Sequence, residues 1–135
     1  MEHLLHYVWK HKLFPLKVLQ TTNGLPVEVI DPGLQNPNAG PDFFNAKLKI
    51  DGTLWVGNIE IHTHSSDWLR HGHDKDKAYD SVILHVVGEA DIEVTRTDGG
   101  RIPQLILTCP ENVQSHYHEL CVADQYPACY PIFAS

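Results

Sequence analysis

GPDFFNAKLKIDGTLWVGNIEIHTH, residues 40–64, carries two apolar runs with acids and histidines near their ends. Asp51-Gly52 separates two apolar runs, and Asp-Gly favours the positive backbone dihedrals of a two-residue hairpin loop. The spacing therefore predicts an antiparallel pair, Phe43 to Ile50 and Thr53 to His62, which brings Asp42 near Glu60 and His62. Strand alternation sends Asn58, Glu60, His62 and His64 to one face and Trp55, Gly57, Ile59 and Ile61 to the other. One face ends polar; the other stays apolar. Lys47 and Lys49 differ in parity from Asp42 and point away from it unless a bulge intervenes.

Upstream of this hairpin, Leu4, Leu5, Val8, Trp9 and Leu13 fall at helical spacings, and Pro15 stands beyond to stop the run, so Glu2 to Leu13 reads as an amphipathic helix. Leu25 to Ile30 is rich in β-branched residues and reads as a strand ended by Asp31-Pro32-Gly33. Downstream, Ser65-Ser66-Asp67 suits a helix N-cap ahead of Trp68, Leu69 and Arg70. Gly72 cuts that helix short, with a second turn expected over Asp74 to Tyr79. Ser81 to Val87 is apolar on both faces except at Ser81 and His85, as a central strand covered on both sides would be. Asp91 to Arg96 and Gln104 to Thr108, around Asp98-Gly99-Gly100, read as a further hairpin. Val113 to Leu120 reads as a helix, and YPACYPIFAS, residues 126–135, as a connector. The sum is an α+β fold with a mixed central sheet flanked by helices.

The chain's 135 residues suffice for one core, so residues 1–135 read as a single domain. No apolar run approaches the ~20 residues that span a bilayer, and the N-terminus lacks a signal peptide's apolar core. A cytoplasmic protein without membrane contact is the expectation. Cys109, Cys121 and Cys129 lack paired zinc-site spacing and read as reduced structural thiols. Net charge is −7, which weakens any grip on a phosphate backbone by bulk electrostatics. Ten histidines are many for this length, and their clustering at and after the hairpin points to metal or proton chemistry. No phosphate-binding glycine loop or Gly-x-Ser-x-Gly elbow is present, which removes nucleotide-cofactor and serine-hydrolase readings.

The order helix, strand, strand, strand, helix, strand, with Pro41-Asp42 opening the second strand and Glu60-Ile61-His62 closing the third, resembles the PD-(D/E)XK nuclease superfamily. The match runs from about Glu2 to Val87. The resemblance implies a restriction-endonuclease-like core and metal-dependent phosphodiester cleavage of nucleic acid. It makes Asp42 and Glu60 ligands to Mg²⁺ or Mn²⁺, the Ile61 carbonyl a third ligand and Glu2 an assisting acid. Hard cations take carboxylate oxygens, and a bound metal lowers the pKa of water toward neutrality. His62 stands where that superfamily has lysine and joins Asp42 and Glu60 as a candidate catalytic residue, with His64 on the same face as a further ligand.

More closely, GPDFFNAKLKIDGTLWVGNIEIH, SSDWLRHGH and YDSVILHVV resemble an uncharacterised bacterial family, a domain of unknown function with members of several hundred residues. This implies that the chain is the N-terminal part of a longer protein whose C-terminal region docks on it, with exposed apolar surface around Tyr126 to Phe133. Two other readings stand beside the nuclease. A structural or interaction module would use Asp42 and Glu60 in a satisfied ion-pair network, His85 as a hydrogen-bonded core residue, and His71 and His73 in a solvated loop. A histidine-rich metal protein would use His62-Thr63-His64 as cupin-type barrels do, for Zn²⁺, Fe²⁺ or Mn²⁺; Zn²⁺ ranks behind Mg²⁺ and Mn²⁺.

Overall fold

The computed structural model describes residues 2–14 and 18–108. Helix α1 (Glu2–Lys10) is followed by strands β1 (Leu19–Gln20), β2 (Pro26–Asp31), β3 (Leu34–Gln35), β4 (Phe43–Ile50) and β5 (Thr53–His64). Then come a one-turn helix α2 (Asp67–Arg70), 3₁₀ turns His73–Lys75 and Lys77–Tyr79, and strands β6 (Val82–Glu89) and β7 (Gln104–Ile106). The strands form one mixed sheet in the order β1-β2-β4-β5-β6-β7, with β3 also paired to β4. Pairs from β1 to β5 are antiparallel, whereas β5, β6 and β7 run parallel. Thr21, just after β1, bridges Leu105 of β7, and the Thr22 amide donates to the Gln104 carbonyl at 2.8 Å. The two edges therefore meet, and the sheet is barrel-like, an arrangement that leaves few unpaired edge groups. The chain is an α+β protein, and no helix among the described residues is long and apolar enough to cross a membrane.

The Asp-Gly hairpin forms as its residues dictate, with Asp51 at φ 51° and Gly52 at φ 81° joining β4 and β5. The bulge that strict alternation left open is present: pairing shifts between Phe43 and Ala46, and Asn45 takes φ 58°. Its effect is to move the buried face from Phe43 to Ala46, Leu48 and Ile50. Lys47 and Lys49 consequently leave the same side as Asp42, exposed and displaced toward the hairpin turn. Alternation fails at the start of β5, where Leu54, Trp55 and Val56 are all exposed. Pairing with β6 begins only at Asn58, so among the described residues β6 does not flank the hairpin tip.

Strand β6 is buried from Val82 through Val87 and lies between β5 and β7, the deep position its composition requires. One apolar cluster joins Leu5, Val8 and Trp9 of α1 to Phe43, Ile59 and Leu84. A second, built from Trp68, Tyr79, Val82, Val94 and Ile102, lies under the α2 crossover. Helix α1 closes with Lys12 at φ 54°, the Leu13 amide reaching the Val8 carbonyl and the Lys12 amide the Trp9 carbonyl, so it ends before Leu13.

Two local expectations change. Ser66 makes no side-chain cap on α2; instead Ser65 Oγ donates to Asp91 Oδ1 at 2.6 Å and accepts from the Asp91 and Ile92 amides, tying the crossover to the loop after β6. Residues 91–96 and 104–108 do not pair as a hairpin. Residues 104–106 run parallel to β6, while Thr95 bridges Arg101 around the Asp98-Gly99 turn. The helix expected at Val113–Leu120, the 126–135 connector, the three cysteines, His116 and His118 lie outside the described residues.

Gly57 sits where β5 first meets β6, and a Cβ there would collide with Ile83 Cγ2 and lie 3.0 Å from the Ser81 carbonyl oxygen. Overpacking of a rigid β-branched neighbour costs about 1–3 kcal/mol. Gly57→Ala is expected to lower stability in urea unfolding by that amount; an unchanged midpoint would contradict the close β5–β6 approach.

Candidate active site

The bulged start of β4 and the middle of β5 bring Asp42 and Glu60 together through each other's backbone. Asp42 Oδ2 accepts from the Ile61 amide at 2.8 Å, and Glu60 Oε1 accepts from the Asp42 amide at 3.2 Å. His6 of α1 places Nε2 3.5 Å from Asp42 Oδ2, too far for a good hydrogen bond, and that buried nitrogen has no other partner among the described residues. Burial alone would raise the Asp42 pKa; His6 and the Ile61 amide outweigh it and hold the carboxyl below its usual range. Burial first, and the Asp42 charge next, push Glu60 well above its own. The pair holds one proton between two unequal acids.

Parallel pairing then lines up three polar side chains, since Glu60 is the Cα partner of His85 and His85 the partner of Gln104. Gln104 Nε2 donates to the Ile92 carbonyl at 2.8 Å, which turns Oε1 toward His85 Nδ1 at 2.9 Å. His85 Nδ1 must therefore carry its proton, and the neutral ring is left with a lone pair on Nε2. That lone pair lies 2.8 Å from His62 Nδ1, so His62 also donates from Nδ1 and its Nε2 is bare. Both rings are kept neutral. Burial, and then His85 and His73, lower His62 to about 3; burial lowers His85 to about 4 although its bond to Gln104 opposes the shift. His62 thus offers a lone pair, not the positive charge of a lysine.

The bare Nε2 of His62 faces Glu60 Oε2 at 3.2 Å, and His73 Nε2 meets the same oxygen at 2.9 Å. His73 arrives because Gly72, at φ 72°, reverses the chain after α2. Its ring stacks on Tyr79 with centroids 3.6 Å apart and is edged by Trp68, and its Nδ1 is buried with no partner among the described residues. Burial, and then His71, lower the His73 pKa to about 4. His71 is exposed, its ring 5.1 Å from that of His62.

Of the residues expected from sequence, Asp42, Glu60 and His62 meet here. Ile61 contributes its amide to Asp42. Glu2 lies within electrostatic reach of Asp42, His6, Asp67 and His71, its pKa raised chiefly by burial. His64 stands apart, 3.1 Å from Glu89 in an exposed pair. His73 is buried and not in a solvated loop, which corrects that expectation; His71 is exposed as expected, and His85 is a hydrogen-bonded core residue. Sequence reading missed His73, Gln104 and His6 as site residues. The one available signal for His73 was Gly72 between two histidines, a left-handed turn that folds the second ring back onto the sheet.

These shifts fix the sign of a pH dependence. As pH falls from about 7 to about 5, the unfolded chain protonates His62, His73 and His85 near their ordinary value of 6.5 and the folded chain does not, so their stabilising contribution is lost. Glu60 acts oppositely, because its raised pKa stabilises the fold at low pH and loses that effect as pH rises toward the folded value. Three imidazoles outweigh one carboxyl. Thermal melts in chelator should show Tm falling toward pH 5, and more steeply in Glu60→Gln; a Tm that rises on acidification would contradict the neutral imidazoles.

No curated protein and no solved structure matches the chain. A sequence model of the family described as "Protein of unknown function (DUF2851)" matches residues 2–135, and the chain belongs to that family.

Proposed function

We propose that this chain is a cytoplasmic, divalent-metal-dependent phosphodiesterase acting on nucleic acid, built on a restriction-endonuclease-like core. The observation that carries the reading is the buried Glu60 carboxyl beside Asp42, facing a bare His62 Nε2: two lone-pair donors in contact need a proton or a cation between them. The donor set fits a divalent ion, since two carboxylates converge with the His62 lone pair beside them. The order α1, β2, β4, β5, α2, β6, with β5 and β6 parallel across a helical crossover, supports the fold part of the reading.

Asp42 and Glu60 would hold the ion, with Glu2 nearby as a further acid. The bound ion would supply Lewis acidity and a water of lowered pKa. The chain's own task is orientation: the Ile61 amide fixes Asp42, the Asp42 amide and His73 fix Glu60, and His85 fixes the His62 ring. His62 stays neutral and completes a donor set, so its chemistry differs from that of a lysine at the same place. With net charge −7, substrate recognition would rest on local contacts to the phosphate and not on a basic field.

A structural network is the second reading, favoured by one observation: a protonated Glu60 can donate to His62 Nε2 and close most of the cluster without an ion. Asp42→Asn and Glu60→Gln separate the two. In the phosphodiesterase, Mn²⁺-dependent cleavage of an oligonucleotide is expected to fall at least about a hundredfold in each, with little change in metal-free Tm. A loss of stability of about 1–3 kcal/mol in both, with no Mn²⁺-dependent cleavage in the parent protein, would establish the network instead.

A further inference from the structure

We propose that the ion held here is a transition metal of the Zn²⁺ class, ligated by His62, His71 and His73 together with Glu60 Oε2. This deepens the phosphodiesterase reading by naming the metal class and three imidazole ligands that join Glu60, and rests on that reading only for the use to which the ion is put. The three imidazole rings stand in a near-equilateral triangle, with centroids 5.1, 5.3 and 5.5 Å apart. One ligand nitrogen from each lies within 4.8 Å of the others. Glu60 Oε2, at 3.2 Å from His62 Nε2 and 2.9 Å from His73 Nε2, is within a few tenths of an ångström of the spacing of neighbouring tetrahedral ligands around one ion, about 3.3–3.4 Å when each bond is about 2.0–2.1 Å. The approach still required is small, and His71, on the exposed end of the crossover, is free to supply it.

Two features favour an imidazole-binding ion over Mg²⁺. Imidazole-rich sets select transition metals, whereas Mg²⁺ takes oxygen ligands and keeps its water. His62 has its tautomer fixed by a second imidazole and then an amide, the outer-shell support that metal-bound histidines need. The exposed His71 marks the side from which an ion enters.

The test is titration of the chelator-stripped chain with Co²⁺, followed by its visible absorption, and with Zn²⁺ by calorimetry. Binding of about one equivalent is expected, uncompeted by millimolar Mg²⁺. His71→Ala removes an exposed side chain and leaves the fold intact, yet should weaken Co²⁺ binding at least about tenfold; His73→Gln should do the same. Gln104→Leu, a positioning change, should alter the Co²⁺ spectrum and weaken binding while circular dichroism stays native. Absence of Co²⁺ and Zn²⁺ binding, or binding that survives loss of both His71 and His73, overturns the site. Histidine-dependent binding with no cleavage of any oligonucleotide keeps the metal site and overturns the phosphodiesterase.

Discussion

Gln104 donates from Nε2 to the Ile92 carbonyl, and the proton positions of the relay beneath it follow from that one bond. An amide presents different groups at its two ends, so fixing one end fixes what the other offers. The carbonyl oxygen left facing His85 orders the tautomer of that ring, and His85 in turn orders His62. The result is a buried imidazole whose lone pair is directed at Glu60. Neutral rings in a low-dielectric setting make such a relay rigid, because reversing any member leaves a buried donor or acceptor unmatched.

The relay exists because three strands run parallel. In-register pairing across β5, β6 and β7 sets Glu60, His85 and Gln104 side by side, and the barrel-like closure through Thr21 and Leu105 holds β7 against the short β1. The two apolar clusters divide the labour. The α1 cluster packs one face of the sheet, while the Trp68 cluster, with Tyr79 stacked on His73, covers the face that carries the imidazoles. Helix α1 also reaches the acids, through His6, at the bulged start of β4.

Much of this was legible in the sequence. Asp51-Gly52 specified its turn, the apolar run around Val82 to Val87 specified a deep strand, and strand ends alone placed Asp42 beside Glu60. What was not legible depended on non-local geometry. The bulge at Asn45 reverses the parity of Lys47 and Lys49, and a single residue in the left-handed region carries little sequence signal. Residues 104–106 show no period that distinguishes a parallel partner of β6 from a hairpin arm, so Gln104 could not be placed. His73 looked solvated because its neighbours Asp74, Lys75 and Asp76 are polar; burial of that one ring comes from the Gly72 turn and the Tyr79 face.

The bare Nε2 that His62 presents to Glu60 is a matter of where protons sit, and nitrogen NMR reads that directly. Long-range proton–nitrogen correlation spectra of the metal-free chain near pH 7 are expected to show both His62 and His85 as neutral rings protonated at Nδ1. A charged ring at either position, or a proton on His62 Nε2, would contradict the account.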